Sequence, residues 1–181
     1  MVFSLLFRGK KRQKIGERLY SYIREAARNP AFFGPSKFPD TVDGRFELLT
    51  LQAFLLMQAL RLHAPEQRLD QLVFDTMFLD MDDALREMGT SDTQVGKKVK
   101  QMAKAFYGRS KSYHEALQSA KREEISAALA RNALATAEPQ NLDIFCRQLA
   151  DWVVQSEKNL AEQKLKQLLS SGPDFAKPIF T

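Results

Sequence analysis

The hydrophobic pattern is most distinctive over residues 46–62, where apolar side chains fall on nearly every face of a helix. A helix that is apolar all round either packs among other helices or lies within a membrane. Gln52, Gln58 and Arg61 interrupt the stretch, so its apolar part is too short to span a bilayer. The pattern therefore predicts a buried central helix over about residues 43–62.

A turn with several capping residues marks the start of this helix. Pro39 restricts its own backbone and favours an extended conformation at Phe38. Asp40, Thr41 and Asp43 follow, and each can cap a helix N-terminus, where acids also suit the helix dipole. The central helix is therefore expected to begin at this turn.

The rest of the chain continues the helical period, with no convincing strand and no internal repeat. The predicted fold class is all-α, a single-domain bundle of about six to eight helices around the central helix. Further helices are expected over about 14–28, 66–88, 91–107, 109–118, 121–137 and 142–169, with Gly108 as a break. The helical domain then covers residues 15–171. A tail of residues 172–181 follows, in which Phe175 and Phe180 are placed to fold back on the body.

Composition supports a globular protein in a reducing compartment. The chain has 181 residues, of which 44% are hydrophobic, and this is enough for one domain with a sizeable core. The single cysteine, Cys146, excludes an intramolecular disulfide and a zinc site built from several cysteines.

Charge is concentrated in an N-terminal segment, residues 1–14. The five bases of this segment equal the whole net charge of +5, and no acid precedes Glu17. Secretory signals place the bases before the apolar core, the reverse of the order here. Apolar and basic side chains together predict contact with an anionic membrane surface. Those side chains are Phe3, Leu5, Leu6, Phe7, Arg8, Lys10, Lys11, Arg12 and Lys14. The alternative is a first helix whose apolar end packs on the body.

Catalytic and metal-binding motifs are missing from the sequence. The two histidines, His63 and His114, are isolated, and the acids of residues 80–87 lack the glycine that a calcium-binding loop needs. No phosphate-binding loop or nucleophile motif occurs. The sequence therefore predicts a protein that is not an enzyme and that needs no cofactor or metal.

Phenylalanine and methionine are unusually frequent, at thirteen and six residues against one tryptophan. Methionine adapts to irregular surfaces and recurs in grooves that receive apolar helices of other proteins. Ordinary core filling would explain the same composition, so both interpretations stay open at this stage.

The segment 38–49, FPDTVDGRFELL, resembles the signature of the ubiquinol–cytochrome c chaperone family. The similarity continues through FDTMFLDMDDALREMG at 74–89 and AFYGR at 105–109, in the order that the family has. These blocks cover about half of the chain. Since no mitochondrial presequence precedes them, a bacterial-type member is expected.

The resemblance implies an all-helical, non-enzymatic assembly factor for the cytochrome bc1 complex. Its client would be newly made or partly assembled cytochrome b, with other assembly factors or the ribosome as further contacts. Because cytochrome b is a membrane protein, the expected location is cytoplasmic and peripheral, on the inner face of the cytoplasmic membrane.

The resemblance also suggests two sets of residues with different roles. A client would need pliable apolar contacts and, for basic client loops, an acidic face. The predicted client-binding residues are Phe32, Phe33, Phe38, Met77, Phe78, Met81, Asp80, Asp82, Asp83 and Glu87. For the three phenylalanines, which lie in one short loop, anchoring on the domain's own core is the alternative. A polar network is expected to fix the central helix and the bend at Gly108. Its predicted members are Asp40, Arg45, Glu47, Arg86, Arg109 and Tyr113.

A ribosome- or RNA-binding adaptor is the alternative function. Lys97, Lys100 and Lys104 share one helix face and could contact phosphates together with the N-terminal bases. Specific DNA binding is not expected, because no basic patch with interleaved aromatic residues occurs.

Overall fold

The computed structural model describes residues 2–135 and 142–180, with side chains described from Lys10 onward. Within those ranges the chain forms seven α-helices and no β-strand, which confirms the predicted all-α class. The helices are α1 (Val2–Ala26), α2 (Val42–His63), α3 (Leu69–Glu87), α4 (Asp92–Gln118), α5 (Arg122–Asn132), α6 (Leu142–Glu162) and α7 (Leu165–Ser171).

Helix α2 is the centre of the bundle, as its apolar pattern predicts. Nearly every residue over 48–60 is buried, and α2 contacts α1, α3, α4 and α6. The Thr41 hydroxyl caps its start by accepting a hydrogen bond of 3.1 Å from the backbone N–H of Gly44. Burial on all sides thus follows from a helix that carries no polar face.

Helices α1 and α3 run parallel to each other. Arg12 donates a hydrogen bond to the Gln67 carbonyl just before α3, whereas Arg24 forms an ion pair with Asp80 near its other end. Gly16 lies between these contacts, and a Cβ there would be 2.8 Å from the Thr76 hydroxyl. The two helices can therefore approach closely, and their C-terminal ends lie at the same end of the bundle.

Several predicted helix boundaries are wrong. The helix expected over 142–169 is divided into α6 and α7, and the one expected over 121–137 ends at Asn132. Helix α1 begins at Val2 rather than near residue 14, so the N-terminal segment belongs to one long helix. Helix α4 continues through Gly108, which therefore does not separate two helices. The hydrogen bonds and the packing of a 27-residue helix outweigh the roughly 1 kcal/mol that one interior glycine costs.

An aromatic cluster closes the other side of α2. The Phe32 ring lies 5.1 Å from the Trp152 ring and 5.2 Å from the Phe180 ring, measured between centroids. Phe175 packs on Trp152, whose indole N–H donates to the Ala176 carbonyl. The C-terminal tail thus folds back onto the body, as its phenylalanines suggest.

Candidate functional site

An open apolar groove crosses one end of the bundle. It consists of two adjoining depressions with cavity volumes of about 370 and 610 Å³. The first lies among α1, α2 and α3, and the second extends past α4 to the end of α5. Five side chains line both depressions: Val42, Phe46, Leu85, Met88 and Met102. We call the two depressions together the end groove.

Three methionines make the surface of the end groove pliable. Met81, Met88 and Met102 line it, and Met88 is 57% exposed. Met57 and Met77 are instead buried in the core. The sequence left groove and core open for these residues, and tertiary packing divides them between the two. Unbranched thioether side chains in an open trough can fit apolar segments of varied shape.

Arginines surround the first depression. Arg24, Arg28 and Arg45 border it, and Asp80 is the one acid among its described lining residues. The Tyr20 hydroxyl donates a 2.7 Å hydrogen bond to Asp80. Burial raises the pKa of the Tyr20 hydroxyl, and the hydrogen bond to the Asp80 carboxylate raises it further. The depression therefore combines an apolar floor with a cationic edge.

A partly buried ion pair lines the second depression. Arg109 donates two hydrogen bonds to Glu47, one from Nε at 2.5 Å, and the two side chains are only 22% and 12% exposed. Burial raises the pKa of Glu47, although Arg109 opposes that shift. The nearby Tyr113 hydroxyl is buried, and burial together with the charge of Glu47 raises its pKa. This pair ties the start of α2 to the middle of α4.

The predicted polar network does not form as one unit, since its members lie in separate places. Arg45 pairs with Asp40 at the surface, 2.6 Å away. Arg86 pairs with Asp82 and Asp92, and so joins the end of α3 to the start of α4. Only Glu47, Arg109 and Tyr113 come together. The sequence identified residues with ionic partners but could not show which elements each pair connects.

Four of the predicted client-binding side chains belong to the core. Phe32, Phe38, Met77 and Phe78 are all buried, and they have almost no exposed surface that could contact a client. The loop position left core and client contact open for Phe32 and Phe38. Phe32 ends a 3₁₀ turn at Pro30–Phe32, and the Phe38 N–H donates a hydrogen bond to the Phe32 carbonyl. Their expected role in client contact is therefore corrected to one in packing.

The other predicted client-binding residues lie near or beyond the end groove. Met81 and Asp80 line it. Phe33 is half-buried beneath the Arg45 guanidinium, 5.2 Å from the ring centroid. Asp82 is held by Arg86, whereas Asp83 and Glu87 are exposed at the surface. The acidic residues thus do not form one free face.

Sequence reasoning missed three of the side chains that the two depressions share, namely Val42, Phe46 and Leu85. Val42 and Phe46 lie in the first turns of α2, where the family signature suggested only an architectural role. Val42 is 64% exposed despite being apolar. An exposed apolar residue at the start of a buried helix would have indicated a contact surface. The sequence, however, does not show which apolar residues are exposed.

The N-terminal bases lie far from the end groove. Lys10, Lys11, Arg12 and Lys14 are exposed on α1, whereas Arg24 borders the groove. Arg12 and Arg24 are separated by about 18 Å along the helix axis. The side chains of Phe3, Leu5, Leu6, Phe7 and Arg8 lie outside the described part of the structure. The N-terminal bases and the end groove therefore lie toward opposite ends of α1.

Among the residues that the structure describes, no helix is both long enough and apolar enough to cross a bilayer. No cluster of three or more His, Cys, Asp or Glu side chains in the same part of the chain is arranged to hold a metal ion.

Comparison with known proteins identifies the family. The family model described as "Ubiquinol-cytochrome C chaperone" matches residues 36–175, which is well over half of the chain. This protein belongs to the ubiquinol–cytochrome c chaperone family. Its role is accordingly that of a chaperone in the assembly of the bc1 complex, as the sequence resemblance implied.

A solved structure supports the same assignment for the whole chain. The crystal structure of the Cbp3 homolog from Brucella abortus matches this chaperone with a TM-score of 0.78 and 32% sequence identity, over 98% of each chain. A search of the curated proteins found no match. The solved structure extends the similarity to α1, which precedes the residues that the family model covers.

Proposed function

We propose that this chaperone binds newly made cytochrome b through the end groove and holds it during assembly of the bc1 complex. Membership of the family supports the assembly role, and the open, methionine-lined groove supports client binding there. Cytochrome b is a membrane protein whose helices expose apolar surface until their partners join. The groove is the observation that carries the proposal, since it offers such a segment an apolar surface.

A double substitution in the groove tests this proposal. Val42→Gln with Met88→Gln is expected to reduce the capture of cytochrome b about tenfold, because burying even part of two apolar side chains stabilises a complex by about 1–2 kcal/mol. The measurement is crosslinking in cells, followed by quantification of captured cytochrome b and of assembled bc1 complex in a strain that carries only the variant.

Leu62→Gln with Leu79→Gln is the matched control. These side chains are 64% and 61% exposed, close to the 64% of Val42 and 57% of Met88, and they lie on the same two helices outside the groove. The control is expected to capture cytochrome b as the unaltered chain does. An equal loss of cytochrome b capture in both variants would show that the groove is not the client site. Unchanged levels of bc1 complex in a strain that lacks the chaperone would refute the proposed function.

We further propose that the chaperone works at the inner, cytoplasmic face of the membrane, held there by the bases of α1. Replacing Lys10, Lys11, Arg12 and Lys14 by Gln is expected to weaken binding to anionic phospholipid vesicles at least tenfold. Each base near an anionic surface contributes about 1 kcal/mol. Co-sedimentation with vesicles at several salt concentrations measures the change.

Four exposed lysines on α4 provide a control of equal charge, namely Lys97, Lys100, Lys104 and Lys111. Their replacement by Gln is expected to leave vesicle binding nearly unchanged. The α4 variant could instead lose cytochrome b capture while the groove variant keeps it. That result would favour the adaptor function, which uses this basic face, over client binding in the groove.

A further inference from the structure

The arginine edge of the first depression carries more charge than the chain itself neutralises. Asp80 accepts a hydrogen bond from Tyr20 through one oxygen and a 3.4 Å contact from Arg24 through the other. Arg45 pairs with Asp40, which lies outside the depression. Among the described residues, the Arg28 guanidinium makes no hydrogen bond or ion pair, whereas its backbone N–H donates to the Glu25 carbonyl. One guanidinium at the edge therefore remains available.

The surroundings of Arg28 favour a ligand with a carboxylate next to an apolar surface. Leu49, Met81 and Leu85 line the depression below the arginines. A guanidinium next to an apolar wall binds a carboxylate through paired hydrogen bonds, and exclusion of water by the wall strengthens them. Asp80 is already held by Tyr20 and Arg24, so it does not cancel the charge of Arg28.

We infer that the client segment bound in the end groove is an amphipathic helix with a carboxylate beside its apolar face. Arg28 binds that carboxylate, supported by Arg24 and Arg45. This inference rests on the proposed function and specifies its ligand. It reverses the expectation that the acidic residues of α3 meet basic client loops. Of those acids, Asp80 and Asp82 are already paired with arginines of the chaperone.

The shape of the groove favours a peptide helix over a phospholipid, which would offer a phosphate and an acyl chain. The groove is an open trough that continues from the first depression into the second, past the five shared side chains. A trough lined by methionines accommodates the irregular side chains of a helix, as in other helix-binding grooves. Arg24, Arg28 and Arg45 border only the first depression, whereas Arg109 of the second is paired with Glu47. This arrangement places the carboxylate toward one end of the bound helix.

Binding of labelled designed peptides to the full chain tests the inference. The probe is an amphipathic helix of leucine and alanine that carries two glutamates at one edge of its apolar face, and its partners carry glutamine or lysine there. Fluorescence anisotropy is expected to show that the glutamate peptide binds about fivefold more tightly than the glutamine peptide, as expected of part-exposed ion pairs worth about 1 kcal/mol. The lysine peptide is expected to bind most weakly.

Arg28→Gln is expected to remove the preference for glutamate while leaving the affinity for the glutamine peptide unchanged. Arg18→Gln is the matched control, because Arg18 is exposed on α1, which ends just before Arg28, and does not line the groove. It is expected to keep the fivefold preference. Salt should reduce the preference in the unaltered chain and have little effect on Arg28→Gln.

Several results would overturn the inference. These are equal binding of all three peptides, tighter binding of the lysine peptide, no peptide binding, or a preference that Arg28→Gln leaves intact. Anionic vesicles that bind in an Arg28-dependent manner while no peptide does would assign the groove to a lipid. If the peptides show no charge preference while Val42→Gln with Met88→Gln still abolishes cytochrome b capture, the inference fails and the proposed function stands.

Discussion

Replacement of Phe32 by alanine is expected to lower the free energy of unfolding by about 3–5 kcal/mol, the largest effect of any substitution considered. The ring is buried and packs edge-on against Trp152, with Phe38 and Phe180 on its other sides. Its loss would leave a cavity where the loop after α1, helix α6 and the C-terminal tail meet. Chemical denaturation followed by circular dichroism measures the change.

Phe33→Ala is the control for this prediction. Phe33 is the next residue in the loop, but its ring is only half-buried, against Arg45. We expect a loss of about 1 kcal/mol, mainly from the weakened contact with the guanidinium. If Phe32→Ala instead left stability unchanged and reduced client capture, the phenylalanine would be a client contact after all, and its assignment to the core would be wrong.

Gly44→Ala is the second substitution expected to have a large effect, a loss of about 3 kcal/mol in the free energy of unfolding. A Cβ at this position would lie 2.0 Å from the Pro39 carbonyl oxygen, which is backbone and cannot rotate away. Either the turn or the start of α2 must move, and the cap from Thr41 to the Gly44 N–H would be strained or lost. Thermal unfolding is expected at a midpoint lower by about 6–12 °C.

Gly108→Ala tests whether the effect is specific to Gly44. Gly108 lies inside α4, and a Cβ there would meet nothing within 4 Å. Alanine is therefore expected to stabilise the chain by about 0.5–1 kcal/mol through its higher helix propensity. An equal loss of stability in both variants would contradict the close approach of Gly44 to the Pro39 carbonyl and the open surroundings of Gly108.

The position of Gly44 links the fold to the end groove. The turn that it closes sets the direction in which α2 begins, and Val42 and Phe46 of this first part of α2 line both depressions. A family signature that reads as architectural can therefore also shape the proposed client site. For this reason, we expect Gly44→Ala to reduce client capture even at temperatures where the chain stays folded.

The core and the end groove use the same kinds of side chain in different surroundings. The middle of α2 is enclosed by four helices, so its leucines and phenylalanine are buried. At the end of the bundle, helices of different length and direction leave a trough between them. Met88, which directly follows α3, therefore stays exposed, while Met77 within that helix is buried.

Local patterns were sufficient to predict the helices and the central position of α2. An apolar period and capping residues act within a few turns, because helical hydrogen bonds join residues four apart. The Thr41 cap, the buried faces of α2 and the return of Phe180 to the body all agree with such patterns. The family signature over 38–49 also indicated the chaperone role before any contact was known.

Local patterns could not predict which apolar side chains stay exposed. Phe32 and Phe38 lie in a loop yet are buried, because the Phe38 N–H donates to the Phe32 carbonyl and the folded loop packs on α6 and the tail. Gly108, which reads as a helix break, is accommodated within α4. In both cases contacts between elements outweigh the local preference.

By itself, the sequence determined an all-helical chaperone fold, the buried central helix, the cationic start of α1 and a supply of pliable apolar side chains. Tertiary structure alone decided that Met81, Met88 and Met102 share a groove with Arg24 and Arg28 while Met57 and Met77 fill the core. The physical reason is that helix formation depends on neighbours along the chain. A groove instead depends on side chains from five helices that meet only when the bundle packs.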